Sequence, residues 1–192
     1  MIPEFHVSLY SGQSFNLSNP KSCLNRICIE DIGHSLSLQC RFVGQCKKFY
    51  SVAQHSVLLS ELVSPDLALW ALLHDATETY LGDISSPLKS MIPEFSSLEL
   101  RFRLLIAVRF CLPTFSPLVY PVEVDAADKF LFMSEWSQLV DKQLEGLVYA
   151  KETHGIFDFA TVSLWTPEEA EYRFLSKFFE LSKLTGSKDE NS

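Results

Sequence analysis

The stretch from Leu67 to Leu81 constrains this chain more than any other, because it is apolar on nearly all sides until His74-Asp75 interrupts it. Apolar residues that recur without leaving a polar face mark a helix surrounded by protein, not one lying on a surface. Ser64-Pro65-Asp66 open this helix, since proline is tolerated in a first turn, and Gly82 supplies its C-terminal stop. A helix with no solvent face needs other helices around it, and the flanking sequence supplies them. Ser51 as N-cap predicts a helix to about Val63, and Glu30-Asp31 open another through Cys40, with Ile32, Leu36 and Cys40 on one side. Further helices are predicted from Pro93 to about Leu112 and from Val122 to Leu144, with Pro113 and Pro117 in the loop between. Thr166-Pro167-Glu168-Glu169 has the pattern of a helix start: a hydroxyl cap, then proline, then acids at the positive helix end. Its continuation carries Phe174, Phe178 and Leu181, which read as core.

The remaining segments are short. Phe5 to Leu17 reads as two extended pieces around Ser11-Gly12, a hairpin inside an extended N-terminal segment, 1–25. Arg41 to Tyr50 reads as a loop and Asp83 to Lys89 as a turn; 146–164 has no clear pattern, and 186–192 is a polar tail expected to fray. The expected fold class is all-α with a short N-terminal β-hairpin, as a single domain over 1–192.

Charge and cysteine usage narrow the function classes. Formal net charge is -8 and no basic run exceeds Lys47-Lys48. Affinity for a nucleic-acid polymer comes largely from cationic side chains that neutralise phosphates, so such a polymer is not an expected partner. No apolar run reaches the ~18 residues of a membrane span, and Met1-Ile2-Pro3-Glu4 does not look like a signal peptide, so no membrane association is expected. The cysteines Cys23, Cys28, Cys40, Cys46 and Cys111 are odd in number and form no C-x-x-C pair, which fits reduced thiols and a cytoplasmic location.

Two ionisable residues inside an apolar helix are costly unless something satisfies them. A metal ion would satisfy His74 and Asp75, and Glu78 lies four and three residues beyond them on the same flank. His55 sits on the preceding helix among apolar neighbours. Helices joined at Ser64-Pro65 should pack antiparallel, which brings His55 towards His74. Asp128 is a carboxylate on another mostly apolar helix, with Ala126 and Ala127 beside it to permit close approach. Each has a plainer reading alone: a helical histidine is commonly a hydrogen-bonded core residue, and Asp128 could pair with Lys129. His34 is read in that plainer way, as a structural polar contact. The two imidazoles and two carboxylates form a mixed nitrogen and oxygen set that suits Mn, Fe, Co, Ni or Zn better than Ca, with Mg as a further candidate cofactor.

The run His74-Asp75-Ala76-Thr77-Glu78-Thr79-Tyr80-Leu81-Gly82-Asp83-Ile84-Ser85-Ser86-Pro87-Leu88-Lys89 resembles the core motif of bacterial HD-type 5′-deoxynucleotidases. Ala53-Gln54-His55-Ser56 is similar to their first metal histidine, and Ala127-Asp128 to their closing aspartate. The resemblance covers roughly 26–180. The opening, from Ser11-Gly12 through Asn19-Pro20 to Ile29-Glu30-Asp31-Ile32, is closer still to short phage-encoded HD proteins. That group includes dATP triphosphohydrolases of phages that exclude adenine from their DNA.

The resemblance implies an HD-domain helical fold in which His55, His74, Asp75 and Asp128 hold a catalytic divalent ion. It implies that Glu78 handles the attacking water or the leaving oxygen, with Asp75 at the reacting centre, and that Asp83 accepts from the deoxyribose 3′-hydroxyl. Arg41-Phe42 is similar to an Arg-Trp pair that binds phosphate and stacks on the base, with Phe42 in the place of Trp. Lys47, Lys48 and Lys89 would add phosphate contacts. The implied activity is hydrolysis of a deoxynucleotide, favoured as release of triphosphate from a dNTP such as dATP. The alternatives are a 5′-deoxynucleotidase acting on dNMPs and, in another class, an inactive HD protein that binds a nucleotide to regulate. A homo-oligomer is implied as well, and the host cytoplasm as location if the protein is phage-encoded.

Overall fold

The computed structural model describes residues 4–112, 121–140 and 163–186, with side chains to 183. Strands β1 (His6–Ser8) and β2 (Ser14–Asn16) pair antiparallel with Val7 opposite Phe15, so the predicted hairpin is present. Phe15 is fully buried against Tyr80 and Phe102, with ring centroids 4.4 and 5.8 Å away. The other end is pinned by the buried Asp31, whose carboxylate accepts from the Ser11 amide at 2.7 Å, the Ser11 hydroxyl at 2.9 Å and the Cys28 thiol at 2.9 Å. The N-terminal segment is not extended throughout, because Pro20–Arg26 winds into a 3-10 helix with Pro20 in its first turn. All five cysteines are free thiols.

The helices are α1 (Ile29–Leu38), α2 (Val52–Leu62), α3 (Ala68–Leu72), α4 (Glu78–Leu81), α5 (Ser86–Met91), α6 (Pro93–Arg109), α7 (Val122–Leu139) and α8 (Pro167–Gly186). Two predicted caps are in place: Ser51 Oγ accepts from the Gln54 amide at 3.0 Å, and Thr166 Oγ1 from the Glu169 amide at 3.3 Å. The end of the helix predicted to Leu144, most of 146–164, the loop of Pro113 and Pro117, and the tail beyond 186 lie outside the described residues.

The main correction concerns Leu67–Leu81, which is not one helix. It divides into α3 and α4 around a turn at 73–77, and that turn carries His74 and Asp75. In a regular helix the Ala71 carbonyl would accept from the Asp75 amide. Here it accepts from the His74 amide at 3.4 Å and from His74 Nδ1 at 2.7 Å, while Ala76 bonds to Leu73 and Glu78 to Asp75 in the tighter i to i+3 pattern. A side chain has displaced a backbone donor, a competition that apolar periodicity cannot register. Burial follows the sequence pattern nonetheless, for Ala68 through Leu73 and Ala76 are all buried. Residues 86–91, partly assigned to the Asp83–Lys89 turn, form α5 with Pro87 in its first turn.

Helix α2 is buried from Val52 to Ser60 and packs on α1, α3, α7 and α8. Close approach of α1 to α8 depends on Gly33: a Cβ there would meet Leu175 Cδ2 at 3.0 Å and Phe174 Cδ1 at 3.3 Å. The architecture is all-α with a short N-terminal hairpin, around a core that includes Leu36, Leu59, Leu72, Ile106, Leu131 and Phe174. Among the described residues, no helix is long and apolar enough to cross a membrane.

Candidate metal centre

Helix α2 carries His55 to one point from one side, the 73–77 turn brings His74 and Asp75 from another, and α7 adds Asp128. His55 Nε2 lies 3.3 Å from His74 Nε2, 3.1 Å from Asp128 Oδ1 and 4.0 Å from Asp75 Oδ2. His74 Nε2 lies 3.0 Å from Asp75 Oδ2 and 4.0 Å from Asp128 Oδ1. The ligating atoms of His55, His74 and Asp75 all fall within 4.8 Å of one another. Ala127 packs against the core beside Asp128, whereas Ala126 is exposed.

Hydrogen bonds on the far side of each ring fix what these atoms offer. His74 Nδ1 faces the Ala71 carbonyl at 2.7 Å, and His55 Nδ1 faces Glu135 Oε1 at 2.6 Å. A carbonyl and an ionised carboxylate can only accept, so both rings carry their hydrogen on Nδ1 when neutral. Two Nε2 lone pairs and two carboxylate oxygens then converge with no hydrogen among them. Such a set repels itself until a cation occupies it, and imidazoles oriented in this way are the pattern of metal-ligating histidines. The residues therefore fit a divalent transition-metal ion.

In the absence of an ion, a proton takes its place. Burial and the Arg41 charge depress the His55 imidazolium, but Glu135 and the hydrogen bonds to Asp128 and Glu135 outweigh them and raise it to about 9. Burial works against the ionised form of Asp75, yet His74, His55 and Arg41 hold it far below the usual carboxylate range. Asp128 is likewise lowered despite its burial, by its hydrogen bond to His55 and the charges of His55 and His74. Both carboxylates are thus kept ionised, as metal ligands must be.

Around this cluster stand the other residues singled out from sequence. Glu78 is buried, its Oε2 has no hydrogen-bond partner, and burial followed by the charges of Asp75 and Asp83 pushes its carboxyl well above the normal range. Asp83 is raised mainly by burial, and Asp75 adds to the effect while Arg41 opposes it. Its backbone amide is held by Gln39 Oε1 at 3.1 Å, and Gln39 Nε2 reaches the Glu78 carbonyl at 3.3 Å. Arg41 is engaged with carboxylates: Nε to Glu135 Oε2 at 3.1 Å and Nη1 to Asp75 Oδ2 at 3.5 Å. Its guanidinium carbon lies 5.4 Å from the centre of the Phe42 ring. Phe42 and Val43 both take left-handed backbone conformations, at φ 58 and 54, a costly geometry for non-glycine residues. The Phe42 ring meets Phe132 and, edge-on at 5.5 Å, Trp136, so an indole from α7 stands beside the phenylalanine.

Lys89 pairs with Glu99 at 2.7 Å, and its charge is felt at Glu78. Lys47 and Lys48 stand exposed on the 41–50 loop, and among the described residues no hydrogen bond or ion pair ties their side chains to the cluster. His34 makes the structural contact expected of it, stacked on Tyr10 and 3.2 Å from Glu171.

Three residues that touch the site were not singled out from sequence: Gln39, Tyr50 and Glu135. Glu135 had a legible signal, since it lies seven residues after Asp128, two turns along the same face, between Ser134 and Trp136 on an apolar helix. Tyr50 and Gln39 sit in loop or helix-end positions where nothing in the pattern separates them from their neighbours.

No family model matches the chain. Among known proteins it is 36% identical over 184 residues to "Uncharacterized protein YfdR" of Escherichia coli (strain K12), covering 93% of this chain and 96% of that one. It is also 37% identical over 130 residues to "Uncharacterized protein RCAP_rcc00048" of Rhodobacter capsulatus, covering 62% of this chain and 65% of the relative. With that identity running through nearly the whole of both proteins, the chain belongs to the family of the Escherichia coli protein YfdR.

Proposed function

We propose that this chain is a metal-dependent phosphohydrolase of the HD type acting on deoxynucleotides, with a deoxynucleoside triphosphate such as dATP as favoured substrate. The observation that carries the reading is the convergence of His55 Nε2, His74 Nε2, Asp75 Oδ2 and Asp128 Oδ1 from three separate parts of the fold. A divalent ion held there would polarise a phosphoryl oxygen and acidify water. Glu78, buried with a raised carboxyl, is suited to keep a proton on Oε2 and deliver it to the leaving oxygen. Asp83, held by Gln39, offers an acceptor for the sugar 3′-hydroxyl. Phe42 and Trp136 offer faces and edges for a base, with Arg41 beside them.

A second reading is a 5′-deoxynucleotidase that removes the single phosphate of a dNMP. One observation favours it: Arg41 and Lys89 are paired with Glu135 and Glu99, which leaves less positive charge for a long polyphosphate. Turnover of dNTPs, NTPs and dNMPs with Mn, Co, Mg and Zn, followed by phosphorus NMR of the products, separates the readings. Tripolyphosphate from dATP is expected, whereas orthophosphate from dAMP selects the second reading. A metal-loaded chain that turns over none of the panel favours the inactive, nucleotide-binding regulator. Asp75→Ala is expected to abolish metal binding and turnover together, and full activity in that variant removes the metal assignment.

A further inference from the structure

We infer that Glu135 is a positioning residue for the metal centre: its carboxylate fixes the orientation and tautomer in which His55 presents Nε2, and ties Arg41 into the same assembly. This inference rests on the proposed metal site and adds a residue to it. Glu135 is fully buried and accepts from three donors, His55 Nδ1 at 2.6 Å, the Tyr50 hydroxyl at 2.6 Å and Arg41 Nε at 3.1 Å. A carboxylate that accepts from three donors, one of them a guanidinium, has the surroundings of an ionised acceptor.

A buried ion pair kept only for stability is a weak device, because desolvation offsets most of its attraction. The geometry here gives Glu135 another task. A neutral imidazole carries one hydrogen, and an ionised carboxylate facing Nδ1 places that hydrogen there. The Nε2 lone pair of His55 is then free to face His74 and Asp128. Without Glu135 the other tautomer becomes available, and its Nε2–H would project into the space an ion must fill. Asp128 and Glu135 are two turns apart on α7, so one helix supplies both a ligand and the group that orients a second ligand. Arg41 completes the arrangement by spanning Glu135 and the ligand Asp75. An amide cannot replace this carboxylate. It accepts on one side only, so a glutamine at 135 must fail either His55 or Arg41.

The test compares the wild-type chain with Glu135→Gln. Zinc affinity is measured by competition with a chromogenic chelator, alongside thermal unfolding of both metal-free proteins. Affinity is expected to fall about 10–100-fold, the usual loss when a ligating histidine loses its hydrogen-bond partner. In 15N-histidine NMR at a pH high enough for the His55 ring to be neutral, metal-free wild type should show its hydrogen on Nδ1, and Glu135→Gln should show the Nε2–H form. A folded Glu135→Gln that keeps both wild-type zinc affinity and the Nδ1–H form overturns the inference. Should the variant fail to fold, zinc-loaded wild type decides: ligation through Nε2 with Nδ1 protonated upholds the role, and ligation through Nδ1 ends it. A wild-type chain that binds no zinc, manganese or cobalt removes the metal site and this role together, whereas failure confined to the variant comparison leaves the site standing.

Discussion

His55 makes the site sensitive to pH, and the sign follows from its surroundings. Its imidazolium is raised from an ordinary 6.5 to about 9 by Glu135 and Asp128, against opposing burial and Arg41. Below 6.5 the ring is charged in both folded and unfolded chains, and its ion pairs contribute in full. As pH rises towards 9 the unfolded chain has already released its proton, and the folded chain loses that contribution. Glu78, raised by burial, penalises the folded state at rising pH in the same direction. The metal-free protein is therefore expected to melt at progressively lower temperature between pH 6.5 and 9, as calorimetry with a chelator present would show. A metal ion competes with the same proton, so zinc affinity should climb across that window; a flat affinity profile removes His55 from the ligand set. Glu78→Gln is expected to keep its metal and lose about 10²–10⁴-fold in rate, the usual worth of an acid-base group. A normal turnover number in that variant ends its proposed catalytic role. At this scale the convergence of the candidate ligands was legible because each is an ionisable residue among apolar neighbours. Glu135 carries the same sign on the same helix as Asp128, and its meaning emerges only once His55 is seen to face it. For Arg41 the resemblance implies a phosphate contact, while its hydrogen bonds to Glu135 and Asp75 join residues 94 and 34 positions away, beyond the reach of local pattern.

Among the elements, the hairpin depends on one buried carboxylate. Asp31 is the shared acceptor for the Ser11 amide, the Ser11 hydroxyl and the Cys28 thiol. Asp31→Ala leaves those donors unpaired in a partly buried place, and is expected to cost roughly 1–3 kcal/mol. Denaturant unfolding gives the loss, and faster amide exchange at Ser11 than in the helices would locate it; unchanged exchange there argues against the pin. Gly33→Val should also destabilise, by about 1–3 kcal/mol, because the added carbons press on Leu175 and Phe174 of α8. The helix starts at Ser51 and Thr166 were readable because capping is written in a few adjacent residues. The division of Leu67–Leu81 was not, since helical periodicity reports which residues are buried and is silent on which donor wins the Ala71 oxygen. Short α5 escaped for a related reason: six residues give too little periodicity to set against Pro87.

Over the whole molecule, the candidate ligands come from α2, the 73–77 turn and α7, so an ion bound there would tie together parts of the chain far apart in sequence. An ion that binds only the folded chain stabilises it by mass action, about 2.7 kcal/mol when present at a hundred times its dissociation constant. Thermal unfolding should therefore shift upward with added zinc or manganese in wild type. The shift should vanish in Asp128→Ala, whose metal-free melting point should also fall at neutral pH because the variant loses the His55–Asp128 ion pair. The two imidazoles also differ in how mutation can reach them. The anchor of His55 is a side chain, one codon away from loss. That of His74 is the peptide oxygen of Ala71, which every amino acid possesses, so no replacement at position 71 deletes it while the main chain keeps its path. The irregular winding at 73–77 thereby makes one half of the ligand pair resistant to genetic drift in a way the other half is not.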